Sequence, residues 1–168
     1  QCFEHDTGYG HPECSDRLRA IESTLAAETF AFLMRVESGP ATREQLERAY
    51  DSSYVTKILA HEGCEGQVNL DEDTVISSGS VQAALYGAGA ACLAVDEVVA
   101  GHARNAFCAI RPPGHHAEAA EAMGFCLFNN AAIAALQAKT VHGVSRIAVI
   151  DFDVHHGNGV QSILWNKP

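Results

Sequence analysis

An α/β architecture with a mainly parallel sheet follows from three stretches of this 168-residue chain. Residues 105–110 and 146–152 are short, continuously apolar runs of strand length, and residues 131–141 between them form an alanine-rich segment of helix length. Strand, helix, strand in that order builds a parallel sheet, because the crossover lays a helix on the sheet face and both bury their apolar sides. The length suits one domain, and no repeat, low-complexity tract or linker divides it.

The remaining elements are read in chain order. Residues 16–27 carry Leu18, Ile21 and Leu25 at helical spacing, an amphipathic pattern. Thr42 followed by Gln45 is a capping box for a short helix bearing Leu46, Ala49 and Tyr50. A second short helix runs over about residues 53–61 and ends before Gly63. Residues 80–100 form a long helix, apolar nearly all round (Leu85, Ala88, Cys92, Val95, Val99), hence one buried against a sheet. Gly101 stops it.

Composition narrows the function classes. With 47% hydrophobic and 19% charged residues the chain is an ordinary globular one. A net charge of -10 and the lack of a basic patch argue against direct nucleic-acid binding. Six scattered cysteines without a C-x-x-C pair, no secretory h-region and no apolar run near membrane-spanning length set a cytoplasmic, non-membrane expectation. Cys92 and Cys108 lie in apolar runs and read as core thiols.

The chemistry concentrates in two segments. In Asp151-Phe-Asp153-Val-His155-His156-Gly157 the polar residues alternate with apolar ones, so on a strand Asp151, Asp153 and His155 would share a face. Two carboxylates and an imidazole in an apolar setting call for a cation, and an O/N ligand set suits catalytic zinc. The competing reading is a solvated strand end followed by a turn. In Arg111-Pro-Pro-Gly-His115-His116-Ala117, two prolines and a glycine restrict the loop and orient adjacent histidines. Histidine moves protons near neutral pH, so the pair can serve as base to a metal-activated water and acid to a leaving amine. Alternatively both are surface loop residues, and Arg111 serves structure by pairing with a carboxylate.

These segments resemble the histone deacetylase family, specifically its class II and bacterial deacetylase-like branch, together with Gly10-His-Pro-Glu13, Arg17-Leu18 and Gly124-Phe-Cys-Leu-Phe-Asn-Asn130. The resemblance implies a three-layer α/β/α fold of arginase type and hydrolysis of acetyl-lysine or an acetylated polyamine. It implies that Asp153 and His155 bind zinc, that His115 and His116 are the tandem catalytic histidines with His116 the general acid/base, and that Asp151 hydrogen-bonds His115. Asp151, Asp153 and His155 would also contribute to a structural potassium site. Asn158 would face His116, where many relatives have aspartate, and Gly124 and Phe125 would line the acyl tunnel. A third zinc ligand, a second tunnel aromatic and a catalytic tyrosine would lie beyond Pro168. These residues alone are therefore expected to be a truncated portion of the domain, inactive in isolation, weak in zinc binding and prone to self-association through an uncovered sheet.

Weaker signals complete the reading. Cys2, His5, His11 and Cys14 form a C-x2-H-x5-H-x2-C pattern that superficially resembles a second zinc site, on a stretch that relatives use as a rim loop. Asp71, Glu72 and Asp73 read as a solvated loop, with a grip on substrate backbone as the alternative. Cys126 reads as a packed thiol. Trp165 reads as core aromatic surface that the portion expected beyond Pro168 would cover. The rival functions are an arginase- or agmatinase-like hydrolase with two manganese ions, whose D-x-H-x-D order differs from the D-x-D-x-H seen here, and a non-catalytic module that binds a partner.

Overall fold

The computed structural model describes residues 1–167. Helix α1 spans Asp16–Leu25, α2 Arg43–Glu47, α3 Ser52–Leu59, α4 Ser80–Val99, α5 Asn130–His142 and α6 Asn158–Leu164. Strands β1 (Gln67–Asn69) and β2 (Val75–Ser77) pair antiparallel, with Val68 opposite Ile76. Five helices thus sit close to where the periodicity placed them or its caps allow. The capping box forms as read: the Thr42 side chain accepts from the Gln45 N–H, and Gln45 returns the bond to the Thr42 N–H. Asn129 caps α5 by accepting from the Ala132 N–H, and Gly143 ends that helix in the left-handed conformation that glycine adopts without penalty.

The apolar helix α4 is the centre of the packing. Its Val81, Ala83, Ala84, Ala88 and Cys92 are buried, and its small side chains let α5 approach through Ala132, Ile133 and Leu136. On another side the chain crosses α4, and the Ala41 N–H donates to the Leu85 carbonyl at 2.8 Å. Helices α2 and α3 add Leu46, Tyr54, Val55 and Ile58 to the same core. Two core tyrosines reach beyond packing. Tyr54 Oη donates to the Leu127 carbonyl at 2.7 Å, and Tyr50 Oη accepts from the Asn129 N–H at 2.7 Å. They clamp residues 127–129, the backbone just after Gly124 and Phe125. Burial pushes the Tyr50 and Tyr54 hydroxyls well above the usual tyrosine range, so both remain neutral bond partners.

The two segments read as parallel strands behave differently. Among the described residues, 105–110 and 146–152 carry no ladder hydrogen bonds to each other or to another segment. Their apolar side chains are open to solvent, with Phe107 71%, Ile150 86% and Phe152 97% exposed. A strand exists through its paired neighbour, and an apolar run reports only a preference for burial. Cys108 is half-buried rather than core, and Trp165 is exposed.

Candidate functional site

The histidine loop is held from below by an ion pair. Arg111 is fully buried and donates from Nε and Nη2 to the two carboxylate oxygens of Glu13 at 2.9 and 2.8 Å, and from Nη1 to the Cys2 carbonyl at 2.9 Å. Such a planar fork on a carboxylate fixes direction as well as distance. The expectation that Arg111 pairs with a carboxylate is met, with Glu13 as the partner. The N-terminal rim and the histidine loop are therefore one assembly.

Above that anchor, His115 and His116 lie side by side with ring centroids 4.1 Å apart. His115 Nδ1 donates to Asp151 Oδ2 at 2.8 Å, and His116 Nδ1 meets Asn158 Oδ1 at 2.6 Å. The His115 bond holds the Asp151 carboxyl below the usual range, aided by the Asp153 N–H. Gly124 and Gly157 are glycine for steric reasons. At Gly124, with φ +54°, a Cβ would lie 2.5 Å from Cδ2 of the His116 ring; at Gly157 it would lie 2.4 Å from Asp151 Oδ2. Each glycine is the surface on which a member of one relay rests.

Residues 151–155 do not form the strand whose alternation suggested a shared face. Short side-chain-to-backbone bonds organise them instead: the Asp153 N–H donates to Asp151 Oδ1 at 3.1 Å, and the His155 N–H to Asp153 Oδ1 at 2.8 Å. Aspartates favour such local turns in place of a ladder. Asp153 and His155 are brought together, with Nδ1 to Oδ1 at 3.0 Å, and His155 stands edge-on to His116 at 5.8 Å. The His155 N–H and ring together lower the Asp153 carboxyl. A carboxylate oxygen and an imidazole nitrogen, set side by side, are of the types that fit two positions of a catalytic zinc. Among the described residues no group of three His, Cys, Asp or Glu side chains is placed to hold a metal.

Phe125 stands at the mouth. It is a non-glycine residue at φ +69°, its N–H donates to Thr74 Oγ1 at 3.1 Å, and its ring meets His11 edge-on at 4.7 Å. Thr74 is fully buried and is held by Asp71, which accepts from both its N–H and its hydroxyl. Strained backbone of this kind persists only where the surroundings hold it, and here Asp71 and Thr74 do so. A cavity of about 460 Å³ opens between Phe125, Asp153, Pro112, Arg17 and Ile110. Asp71, Glu72 and Asp73 are all exposed, as a solvated loop would have them, and Asp71 in addition holds Thr74.

The second zinc pattern does not close. His5 is buried on Ser80, and His11 Nδ1 accepts from the Glu13 N–H while its Nε2 donates to the Asp73 carbonyl. Cys126 is buried and donates to the Gly124 carbonyl, and burial pushes its thiol up to about 12. Sequence reading missed Thr74, Glu118 and the two clamping tyrosines. Glu118 directly follows the histidine motif, but nothing in the sequence points to its partner.

The model of the histone deacetylase domain matches residues 11–168. The chain is 41% identical over 159 residues to the histone deacetylase-like amidohydrolase of Pseudomonas aeruginosa, covering 94% of this chain and 42% of that protein. It is 37% identical over 140 residues to the human polyamine deacetylase HDAC10, covering 80% of this chain and 21% of that protein. Among solved structures, the HDA15 HD domain superposes with a TM-score of 0.90 at 34% identity, over 98% of this chain and 47% of that one. The chain belongs to the histone deacetylase family and has its arginase-like α/β fold. It spans less than half the length of these relatives.

Proposed function

We propose that this chain carries the histidine side of a zinc-dependent deacetylase site, acting on acetylated lysine or an acetylated polyamine and releasing acetate and a free amine. The observation that carries the reading is the pair of relays, His115 to Asp151 and His116 to Asn158, set beside Asp153 and His155. Asp153 and His155 would hold the zinc with a further ligand, and Asp151 would join them at a structural potassium site. When bound, zinc supplies Lewis-acid polarisation of the acyl carbonyl and acidifies the attacking water. His116 takes the water's proton on Nε2 and delivers it to the departing amine nitrogen as the C–N bond breaks. His115, bound to a carboxylate, contributes the electrostatics of its ring. Gly124 and Phe125 line the passage for the acyl chain, and the half-buried Phe125 ring excludes water from one wall. The unpaired cysteines suit a reducing, cytoplasmic setting.

The test measures acetate release by the zinc-loaded full-length protein from an acetyl-lysine peptide and from an acetylated polyamine. Turnover of either is expected, with His116→Ala cutting it by roughly 10²–10⁴-fold while zinc stays bound. No turnover of both substrates, or undiminished turnover in His116→Ala, would overturn the reading.

A further inference from the structure

The two relays differ in a way that gives a third residue a role. Asp151 has only acceptor atoms, so His115 Nδ1 must carry a proton whichever oxygen it meets. Asn158 offers one accepting end and one donating end of nearly equal shape, and its neighbours decide which end faces the ring. Turned one way, the amide oxygen faces His116 Nδ1 and the neutral ring carries its proton there, leaving Nε2 free to accept. Turned the other way, the NH2 faces Nδ1, the ring proton moves to Nε2, and the ring can no longer act as a base.

The surroundings of the far end settle the choice. Asn158 Nδ2 lies 2.8 Å from Glu118 Oε1, 3.1 Å from Met123 Sδ and 3.4 Å from the His116 carbonyl. The shortest and only charged of these partners is a carboxylate, which can accept and cannot donate. Glu118 is half-buried and fixed at the base of a tight turn, where its N–H meets the Glu121 carbonyl at 2.9 Å and the reverse bond closes at 3.4 Å. Its position immediately after Ala117 therefore sets where the carboxylate stands relative to His116.

We propose that Glu118 is a positioning residue: its carboxylate orients the Asn158 amide, which in turn holds His116 as the Nδ1–H tautomer with Nε2 open toward the reacting water. The catalytic consequence rests on the role given to His116 above; the tautomer itself does not.

The experiment reads the His116 tautomer from the ring nitrogen shifts of the full-length protein labelled with 15N-histidine, alongside steady-state rates. The Nδ1–H form is expected in the unsubstituted protein and in Asn158→Asp. Glu118→Lys places a donor against the far end of the amide, so the proton is expected on Nε2, with kcat reduced by roughly the 10²–10⁴-fold of a lost general base and KM unchanged. Glu118→Gln, close to isosteric, is expected to give a mixture of tautomers and an intermediate loss, and it decides the matter if Glu118→Lys does not fold. Adding Asn158→Asp to either variant restores the Nδ1–H form, since a carboxylate has no donating end. Retention of the Nδ1–H form in Glu118→Gln and in any folded Glu118→Lys would overturn the proposal, leaving Met123 and the His116 carbonyl to orient the amide. Absence of deacetylation in the unsubstituted protein would count against the proposed function alone, because the tautomer is read without turnover.

Discussion

His5 is 2% exposed, its Nδ1 lies 2.6 Å from Ser80 Oγ, and its Nε2 lies 3.4 Å from Glu13 Oε2. Burial disfavours its charged form, and the Arg111 cation adds to that effect against the pull of Glu13, lowering its pKa from 6.5 to about 4. Below about pH 6.5 the unfolded chain binds a proton at His5 that the folded chain refuses, so stability falls as pH drops from there toward 4. At about 1.36 kcal/mol per pKa unit, the full penalty is somewhat above 3 kcal/mol, of which about 2 kcal/mol is reached by pH 5. His5→Asn keeps a polar group within reach of Ser80 and removes the titration. Urea unfolding of both proteins from pH 7 to pH 5, at constant m-value, isolates the effect from the other histidines. The stability difference between the two should change by about 2 kcal/mol in the variant's favour across that range. A difference that stays constant would refute the burial argument for His5.

Two further substitutions probe the frame of the site. Arg111→Ala leaves Glu13 buried without its fork, at an expected cost of about 3–5 kcal/mol in urea or thermal unfolding; a loss under about 1 kcal/mol would mean the pair is not desolvated. Gly124→Ala brings a Cβ within 2.5 Å of the His116 ring and should lower turnover by about 10²-fold, the order expected for a displaced catalytic group. Turnover near that of the unsubstituted protein would show that the ring does not rest on Gly124.

How much of this was legible in the sequence depends on the range of the interaction. Helices α2, α4 and α5 announce themselves through local signals: the Thr42–Gln45 box, the apolar run after Ser80 and alanine-rich periodicity. The runs at 105–110 and 146–152 signal only apolar preference, and pairing depends on residues elsewhere in the chain, so strand assignment from them overreaches. At the site, the tandem histidines and their partners Asp151 and Asn158 follow from motif and resemblance, and the structure brings each pair within 2.8 Å. The convergence of Asp151, Asp153 and His155 was inferred from strand alternation; the chain forms turns instead, in which each aspartate accepts the N–H two residues on, and these bring Asp153 and His155 together without gathering three metal-binding side chains among the described residues. Tyr50, Tyr54, Thr74 and Glu118 act across 40 to 79 residues of sequence. Their types alone suggest core or surface, and only the folded chain reveals what they hold.

The proposed chemistry requires Asp153 and His155 as metal ligands beside the histidine relays, a requirement that metal content reads without turnover. Zinc per chain would be measured by elemental analysis of the full-length protein after exhaustive dialysis, for the unsubstituted chain, Asp153→Ala and His155→Ala. Stoichiometric zinc is expected in the first and a large loss in each variant, because removing one of a few protein ligands sharply weakens a zinc site. Zinc content unchanged in either variant would contradict the assignment, and with it the proposed chemistry.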